Sequence, residues 1–443
     1  MSARRFKPYP TYKDSGVEWL GEIPAGWVVK RLKRIFRVVN GSTPAIGEPA
    51  YWDGDIPWVT PEDLGDLRGS AIFETRRNIT ETGYRSCGTT LVPAGSLVLS
   101  TRAPIGHLAL SGGELCTNQG CRSLVFRSAD SRRFFLYKLV AARPELESLG
   151  QGSTFRELAK GMLENVELAA PPEPEQRAIA AFLDRETARI GALVAKKERL
   201  VELLQEQRTA LITRAVTKGL DATVPMKDSG VEWLGKIPAH WDVRRLRHIS
   251  PNLGVGVVVN PSNYVTSVGL PFLYGSDIRE GWIDAEHSRR ISPHDSRRLP
   301  KSQLQAGDLV MVRVGAPGVT AVVPPELEGA NCASLLVIRR SHGVLSSWLC
   351  YALNSRYVRS QIEVVQYGAA QEQFNVRHAV NFVVAVPPLR EQESVAAFLD
   401  RHTERIDILV AKVRGAIERL KELRTALISA AVTGKIDVRE EVA

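Results

Sequence analysis

Side chains able to read nucleic-acid bases are grouped in polar loops of the sequence. Arginine can donate two hydrogen bonds to guanine, and asparagine or glutamine can pair with adenine, so such loops could read the edges of DNA base pairs. Each of these side chains could equally be a solvated surface residue. The candidate DNA contacts in the first half are Arg76, Arg77, Asn78, Thr101, Arg102, Asn118, Gln119, Ser153, Thr154 and Arg156. Those in the second half are Arg279, Arg289, Arg290, Arg297, Arg298, Lys301, Arg313, Gln371, Gln373 and Asn375.

Motifs of bond-making chemistry are missing from the sequence. It has no HExxH, no Asn/Asp-Pro-Pro-aromatic motif of an amino-methyltransferase and no nuclease-like cluster of acids and lysine. The string GVEWLGKI at 230–237 has the spacing of a phosphate loop, but it ends in Ile where Ser or Thr would hold magnesium. The five cysteines lack paired zinc-ligand spacing, so we expect them to be reduced and buried. We assign no catalytic residue, metal or cofactor to this chain.

The composition is that of a folded protein, and its net positive charge fits a polyanionic partner without by itself establishing one. The 443 residues are 44% hydrophobic and 24% charged, with a formal net charge of +9, which is enough chain for two to four globular units. Arginine outnumbers lysine, as suits contacts to guanine and phosphate, although a GC-rich genome would give the same bias. Apolar runs of membrane-spanning length are absent, and the N-terminus has no apolar signal segment. We therefore expect a cytoplasmic protein with no membrane partner.

The sequence contains one long segment that occurs twice. Residues 13–27, KDSGVEWLGEIPAGW, return at 227–241 as KDSGVEWLGKIPAHW, and the segment at 171–196 recurs from Pro387. Between these near-identical ends, residues 42–150 and 256–366 share only a skeleton. Such a long period indicates duplication of a whole domain. The divergence of the middles indicates different tasks for the two domains, although a recent recombination between the copies could produce the same contrast.

A long helix follows each globular domain. From Glu175 to about Val216 there is no proline and one glycine, which predicts a helix of about 40 residues and about 60 Å. A heptad seam predicts an antiparallel pairing of the two helices, with packing of each helix on its own domain as the alternative. The predicted seam consists of Ile179, Leu183, Ile190, Leu193, Leu200, Leu204, Leu211, Val395, Leu399, Ile406, Leu409, Val413, Leu420, Leu423 and Leu427.

Short apolar strands and helical patterns at 131–149 and 345–363 predict a mixed α/β fold for each globular domain. Trp19, Trp27, Trp233 and Trp241 lie in the near-identical segments, so we expect them to be core or helix-packing residues and not platforms for base stacking. The predicted fold class is α+β: two mixed α/β domains separated by two long helices that form an antiparallel coiled coil, with internal pseudo-symmetry. The predicted boundaries are 1–170 for the first domain, 171–220 for its helix, 221–386 for the second domain, 387–437 for its helix and 438–443 for a tail.

The chain resembles the specificity subunits of type I restriction-modification systems. The duplicated DSGVEWLG-IP--W opening and the Pro-Pro-(x)2-Glu-Gln lead into each long helix carry the resemblance over nearly the whole chain. It implies two target recognition domains, each reading one half of a bipartite, asymmetric double-stranded DNA target. It also implies helices that set the spacer and dock two modification subunits. S-adenosylmethionine would bind those subunits, and motor-nuclease restriction subunits would join them.

Two other classes of protein compete with this interpretation. One is an enzyme, such as a methyltransferase or nuclease fused to a recognition module, and the missing motifs disfavour it. The other is a coiled-coil scaffold that binds only protein, which does not explain why the two middles diverged while their ends did not.

Overall fold

The chain forms two compact units in a computed structural model. The structure describes residues 6–67, 69–128, 131–152, 156–367 and 376–442. The first unit comprises Met1–Lys197 with Gly415–Ala443, and the second comprises Glu198–Arg414. Each unit therefore contains one globular domain together with parts of both long helices. The units do not coincide with the globular domains alone.

The first globular domain is mixed α/β. Its strands are β1 (Tyr12–Asp14), β2 (Glu22–Pro24), β3 (Val28–Arg31), β4 (Phe36–Asn40), β5 (Trp52–Val59), β6 (Ala71–Ile72), β7 (Asn78–Ile79), β8 (Leu97–Ser100), β9 (Leu108–Ser111), β10 (Cys116–Thr117), β11 (Cys121–Phe126) and β12 (Glu167–Ala170). Its helices are α1 (Leu32–Ile35), α2 (Pro61–Asp66), α3 (Glu81–Ser86), α4 (Arg132–Ala141), α5 (Arg143–Ser148) and α6 (Lys160–Asn165).

Two sheets organise this domain. The larger has the order β4-β11-β8-β9-β6, and the smaller has the order β10-β5-β7. All four residues of β8 are buried because the strand is central in the larger sheet. Phe134 and Phe135 of α4 join Leu97, Leu99 and Leu124 in the main core. The smaller sheet lies beside this core and carries Trp52 and Trp58.

The second half repeats this plan after α7 (Glu173–Lys218) and ends in α13 (Leu389–Val432). Its strands are β13 (Met226–Asp228), β14 (Lys236–Pro238), β15 (Asp242–Arg245), β16 (Leu253–Val255), β17 (Val265–Thr266), β18 (Leu270–Leu273), β19 (Ile278–Arg279), β20 (Trp282–Ile283), β21 (Arg289–Ile291), β22 (Leu309–Met311), β23 (Thr320–Val322), β24 (Asn331–Cys332), β25 (Leu336–Ile338) and β26 (Val383–Val386). Its helices are α8 (Leu246–Ile249), α9 (Pro293–Arg298), α10 (Ser346–Asn354), α11 (Arg356–Tyr367) and α12 (Val376–Ala379).

Corresponding sheets recur in the second domain. The order β16-β25-β22-β23 matches β4-β11-β8-β9, and the small sheet has the order β17-β21-β18-β24. In both small sheets one strand pair is parallel, β10 with β5 and β24 with β18. The predicted helical segments are also present, each divided into two helices near Ala142 and Ser355. The expected mixed α/β fold with internal pseudo-symmetry is confirmed.

The two long helices run antiparallel within each unit. In the first unit Ile190 near the middle of α7 shares a cluster with Leu427 and Ile428 near the end of α13. In the second unit Val201 packs with Ile406 and Val410. The predicted antiparallel pairing is therefore present in both units.

The buried positions of these helices repeat every eleven residues and not every seven. The recurring buried positions are Ile179, Ile190, Val201 and Ile212 in α7 and Val395, Ile406, Ile417 and Ile428 in α13. Eleven residues in three turns correspond to about 3.67 residues per turn, which is closer to the 3.6 of a straight α-helix than the 3.5 of a heptad. The heptad prediction is consequently wrong at Leu200, Leu409 and Leu423, which are 44%, 48% and 51% exposed.

The Pro-Pro-(x)2-Glu-Gln lead ties each long helix to its domain. Gln176 donates to the Pro171 carbonyl and accepts a hydrogen bond from the Ser131 backbone N–H, at the start of α4. Gln392 donates to the Pro387 carbonyl in the same way. This role explains why the motif is repeated with so little change.

Each long helix ends against the tryptophan of a repeated segment. Gly219 after α7 has φ of 73° and lies against Trp241, and Gly434 after α13 has φ of 76° and lies against Trp27. A left-handed glycine is the usual end of a helix, since a Cβ would be strained there. Trp27 and Trp241 are fully buried as predicted, but the prediction of a core role is wrong for Trp233, which is 59% exposed.

Several expectations about special sites can be compared with the described residues. Among them no helix is long and apolar enough to cross a membrane, and no cluster of histidine, cysteine or acidic residues could hold a metal. All five cysteines are free, and all except the half-buried Cys87 are buried. GVEWLGKI forms a turn leading into β14, so it lacks the helix of a phosphate loop. Val438, assigned to a tail, is fully buried in the first unit's core.

Candidate nucleic-acid interface

An arginine in the first unit lies stacked on a pair of tryptophans. The guanidinium carbon of Arg77 lies 3.6 Å from the centroid of the Trp52 ring. Trp52 meets Trp58 edge to face with centroids 5.1 Å apart. Both rings are buried and anchored through Nε1, since Trp52 donates to the Ala45 carbonyl and Trp58 to the Ser42 carbonyl. Arg77 itself is exposed and directly precedes β7. Its donors therefore face solvent from a fixed aromatic base.

The second unit repeats this arrangement with different residues. Arg289 of β21 lies with its guanidinium carbon 4.2 Å from the centroid of Tyr274. Tyr274 meets Phe272 edge to face at 5.2 Å. Phe272 pairs directly with Arg289 across β18 and β21. We call Arg77 with Trp52 and Trp58, and Arg289 with Tyr274 and Phe272, the two arginine–aromatic clusters.

The two arginines occupy the same register of the small sheet, although Trp52 lies before Pro57 along its strand and Tyr274 lies after Pro271. Pro57 of β5 pairs with Asn78, and Pro271 of β18 pairs with Arg290, so Arg77 and Arg289 each stand one residue before an equivalent pair. Within the described chain neither guanidinium has an ion pair. Stacking restricts the side chain while leaving its planar fork of donors available, which suits bidentate contact to guanine or phosphate.

Neighbouring candidates in the first unit have partners within the fold. Arg76 forms ion pairs with Glu62 and Asp66, which balance its charge. Asn78 accepts a hydrogen bond from the Thr75 hydroxyl at 2.7 Å. These contacts make Arg76 and Asn78 weaker candidates than Arg77.

A second group of candidates lies near the ends of β8 and β11. Thr101 is fully buried and its hydroxyl donates to the Gly120 carbonyl, so its prediction as a DNA contact is wrong. The physical reason is that its backbone continues the sheet after β8 and binds Leu158 and Gly120. Arg102 remains partly exposed and is paired with Glu157 at 3.0 Å.

Glu157 also binds a residue absent from the predicted set. Arg122 of β11 donates to Glu157 and to Asn40, and burial lowers the pKa of its guanidinium. Arg122 is buried and serves to hold Glu157 beside Arg102. Among the remaining candidates, Asn118 accepts from the Gly120 backbone N–H, Gln119 contacts Thr43, and Arg156 is exposed.

Basic residues of the second unit surround an open cleft. Arg298 and Lys301 line a space of about 490 Å³ together with Tyr264 and the exposed Val258 and Val259. A cleft with basic rims and apolar walls can accept a phosphate together with a sugar or base face.

Other candidates of this unit are spread over its surface. Arg297 is exposed at the end of α9, and Arg290 is half-buried beside Arg289. Arg279 is exposed and donates to the carbonyls of Ser276 and Ile278. Arg313 is half-buried, and burial lowers its pKa.

Five predicted residues lie outside the described residues: Ser153, Thr154, Gln371, Gln373 and Asn375. The aromatic rings under the arginines were missed, because Trp52 precedes Arg77 by 25 positions and only the fold brings them together. A usable signal was the alternation of aromatic residues in WDGDIPW and LPFLY ahead of basic residues.

Comparisons with known proteins find similarity to type I restriction enzyme specificity subunits. Residues 24–202 match the family described as type I restriction modification DNA specificity domain. The type I restriction enzyme MjaIX specificity subunit of Methanocaldococcus jannaschii is 27% identical over 98% of this chain and 99% of its own length. The EcoKI specificity subunit of Escherichia coli is 22% identical over 94% and 90%.

Solved structures share the fold. A structure from a study of complex assembly and conformational transition of the type I R-M system covers 93% of this chain and 98% of its own, with a TM-score of 0.67 and 18% identity. The HsdS subunit from Thermoanaerobacter tengcongensis covers 94% and 98%, with a TM-score of 0.51 and 18% identity. In its matched domain and its chain-length alignments, the chain is similar to type I restriction enzyme specificity subunits over nearly its whole length.

Proposed function

We propose that this chain reads DNA sequence for a type I restriction-modification complex, with each globular domain recognising one half of a bipartite, asymmetric target. The observation that carries the proposal is the pair of arginine–aromatic clusters at equivalent positions of the two small sheets. The positions of the two arginines match, while the rings beneath them and the surrounding loops differ. Two similar frames with different contents suit the reading of two different half-sites.

The long helices act as the spacer between the two readings. Helix α7 has 46 residues, which corresponds to about 69 Å at 1.5 Å per residue. Half-sites must be met on the correct face of the duplex, where one turn is about 34 Å, so the length of the helices restricts the permitted gap.

The chain recognises DNA without making or breaking bonds in it. Two modification subunits supply S-adenosylmethionine and methyl transfer, and motor-nuclease restriction subunits supply cleavage. The helices dock the modification subunits, and the complex works in the cytoplasm, where it meets double-stranded DNA. The support for this division of labour is the similarity to specificity subunits over nearly the whole chain, together with the missing catalytic motifs.

A domain exchange tests the reading function. The full chain is co-expressed with its modification subunit, and methylated positions are mapped across the host genome. Replacing residues 42–150 with those of a related subunit should change one half-site and leave the other half-site and the gap unchanged. A change in both half-sites would refute independent reading. Methyl transfer to DNA by the purified chain alone would refute the non-catalytic role.

A further inference from the structure

The second unit contains a cleft that is lined by none of the predicted DNA-contact residues. It lies between the globular domain and the helices, with a volume of about 600 Å³. Asp400 and Glu404 of α13 and Ser347 of α10 form one side, and the half-exposed Trp282 and Ile408 contribute apolar surface. The cleft is separate from the arginine–aromatic cluster of the same unit, whose residues do not line it.

Its floor is acidic. Glu280 is already paired with Arg208 and Arg359, and Asp407 is paired with Arg208. Asp400 accepts a hydrogen bond from the Tyr351 hydroxyl at 2.7 Å, and burial raises the pKa of this tyrosine.

Two carboxylates are therefore left without a cation. Within the described residues Asp400 and Glu404 form no ion pair. They lie four positions apart on α13, so they project from the same helix face. A cationic group entering the cleft would meet both of them.

The equivalent place in the first unit is filled by an arginine. Tyr137 and Asp184 form the same hydrogen bond as Tyr351 and Asp400, with the same length of 2.7 Å. There Arg133, the second residue of α4, donates to both carboxylate oxygens of Asp184 and to the Ser70 hydroxyl. In the first unit this site therefore holds a guanidinium group.

The second unit lacks that arginine and carries extra acid. Ser347 is the second residue of α10 and takes the position of Arg133. Glu404 stands where the repeat offset of 216 residues places Ala188 in α7. A short side chain opens the space, and the additional carboxylate increases its affinity for a cation.

We propose that this cleft binds the arginine side chain of a partner protein, which takes the place that Arg133 fills in the first unit. The planar guanidinium fits a carboxylate with two parallel hydrogen bonds, and its weak hydration suits a half-apolar cleft better than an ammonium ion. The partner is a protein subunit that docks along the helices, so the site contributes to assembly and not to base reading.

The chain alone provides the first test. The full-length protein is labelled with 5-fluorotryptophan, and the ¹⁹F resonance of Trp282 is assigned with Trp282→Phe. Titration with Nα-acetyl-arginine methylamide should give a saturable shift of this resonance. The affinity derived from it should be at least several-fold higher than the affinity for the lysine analogue. Glu404→Gln and Ser347→Arg should both abolish the shift. Equal shifts with both compounds, or an unchanged response in the two variants, would overturn the proposal.

The assembled complex provides the second test, which relies on the proposed function only for the choice of partner. Affinity for the modification subunit is measured with Glu404→Gln, Ser347→Arg and the matched control Ala188→Gln on the exposed face of α7. The first two should weaken binding at least ten-fold, and the control should leave it unchanged. Glu404→Gln hardly changes the size of the side chain, so it stays informative if Ser347→Arg impairs folding.

The outcomes of the second test separate the inference from the proposed function. Unchanged affinity in folded Glu404→Gln would overturn the inference, and so would weakening by Ser347→Arg alone, because that result indicates obstruction without recognition of charge. A change in both half-sites in the domain exchange, with arginine binding intact, would instead refute the proposed function and leave this inference standing.

Discussion

Trp27 and Glu175, 148 positions apart, are joined by a hydrogen bond of 2.9 Å from the indole Nε1 to the carboxylate. The second copy has the same bond between Trp241 and Glu391 at 3.0 Å. One partner belongs to the repeated opening segment and the other to the repeated lead into the long helix. The two repeated segments of the duplication therefore contact each other. We call this contact between globular domain and long helix the joint.

Removing this joint should destabilise the first unit. Glu175 also accepts a hydrogen bond from the Tyr9 hydroxyl, so Glu175→Ala leaves two buried donors without a partner. We expect the free energy of unfolding to fall by about 2 to 6 kcal/mol, at about 1 to 3 for each of the two unsatisfied donors. Urea unfolding followed by tryptophan fluorescence measures the change. Glu173→Ala, which breaks only the exposed pair with Arg177, is the control. Equal losses of stability in the two variants would show that the contact of Glu175 with Trp27 and Tyr9 does not stabilise the unit.

Lys138 should make the stability of the first unit depend on pH. It is buried, its ammonium donates to the Val432 carbonyl at the end of α13, and burial lowers its pKa to about 7. Between pH 7 and the ordinary value of 10.5 the unfolded chain holds more protons than the folded one, so stability rises with pH across this window.

The lysine can be removed to test this dependence. Lys138→Met should reduce the slope by up to one proton, or about 1.4 kcal/mol per pH unit, while the exposed Lys196→Met controls for loss of a lysine. Unfolding titrations at pH 6 to 10 measure the slopes. Identical slopes in wild type and Lys138→Met would show that Lys138 does not titrate in this range.

The eleven-residue repeat makes neighbouring positions of α7 behave differently. Val201 is buried against Ile406 and Val410, whereas Leu200 is 44% exposed. We expect Val201→Asp to lower the free energy of unfolding by about 2 to 5 kcal/mol, since it places a charge in an apolar seam. Leu200→Asp should cost within about 1 kcal/mol. Chemical denaturation of both variants measures the contrast. A larger loss of stability in Leu200→Asp than in Val201→Asp would support the heptad seam instead.

The arginine–aromatic cluster of the first unit should contribute directly to DNA binding. Arg77→Ala is expected to weaken specific binding by about 1 to 3 kcal/mol, because each good bidentate contact is of that size. Arg76→Ala, whose charge is balanced by Glu62 and Asp66, should have a smaller effect. Gel-shift titrations of the complex at fixed salt measure both. A larger loss from Arg76→Ala would place the contact elsewhere.

The parts of the fold predicted from sequence are those set by local pattern and repetition. The long helices, the strands around Leu97 and Leu124 and the buried Trp27 follow from proline-free runs, apolar strands and the duplicated segment. Sequence could not choose between Leu200 and Val201 as the buried residue, because both are apolar and the choice depends on the twist of the partner helix.

The candidate site was predicted less completely. Arg77 and Arg289 were among the candidates, but their aromatic supports depend on strand pairing between segments distant in sequence. Thr101 belongs to a polar run typical of a loop, yet backbone hydrogen bonds to Gly120 carry it into the sheet. Polarity alone does not distinguish these two fates.

The central claim is that two independent readings are held apart by the length of the helices, and a change in that length tests it most directly. Leu204 and Val413 belong to one apolar cluster of the antiparallel pair. Inserting 22 helix-forming residues after each preserves the eleven-residue period and adds about 33 Å, close to one DNA turn. Methylation sites of the co-expressed complex are then mapped across the genome. The account predicts the same two half-sites with a gap longer by about ten base pairs. The original gap, with full methylation, would contradict it.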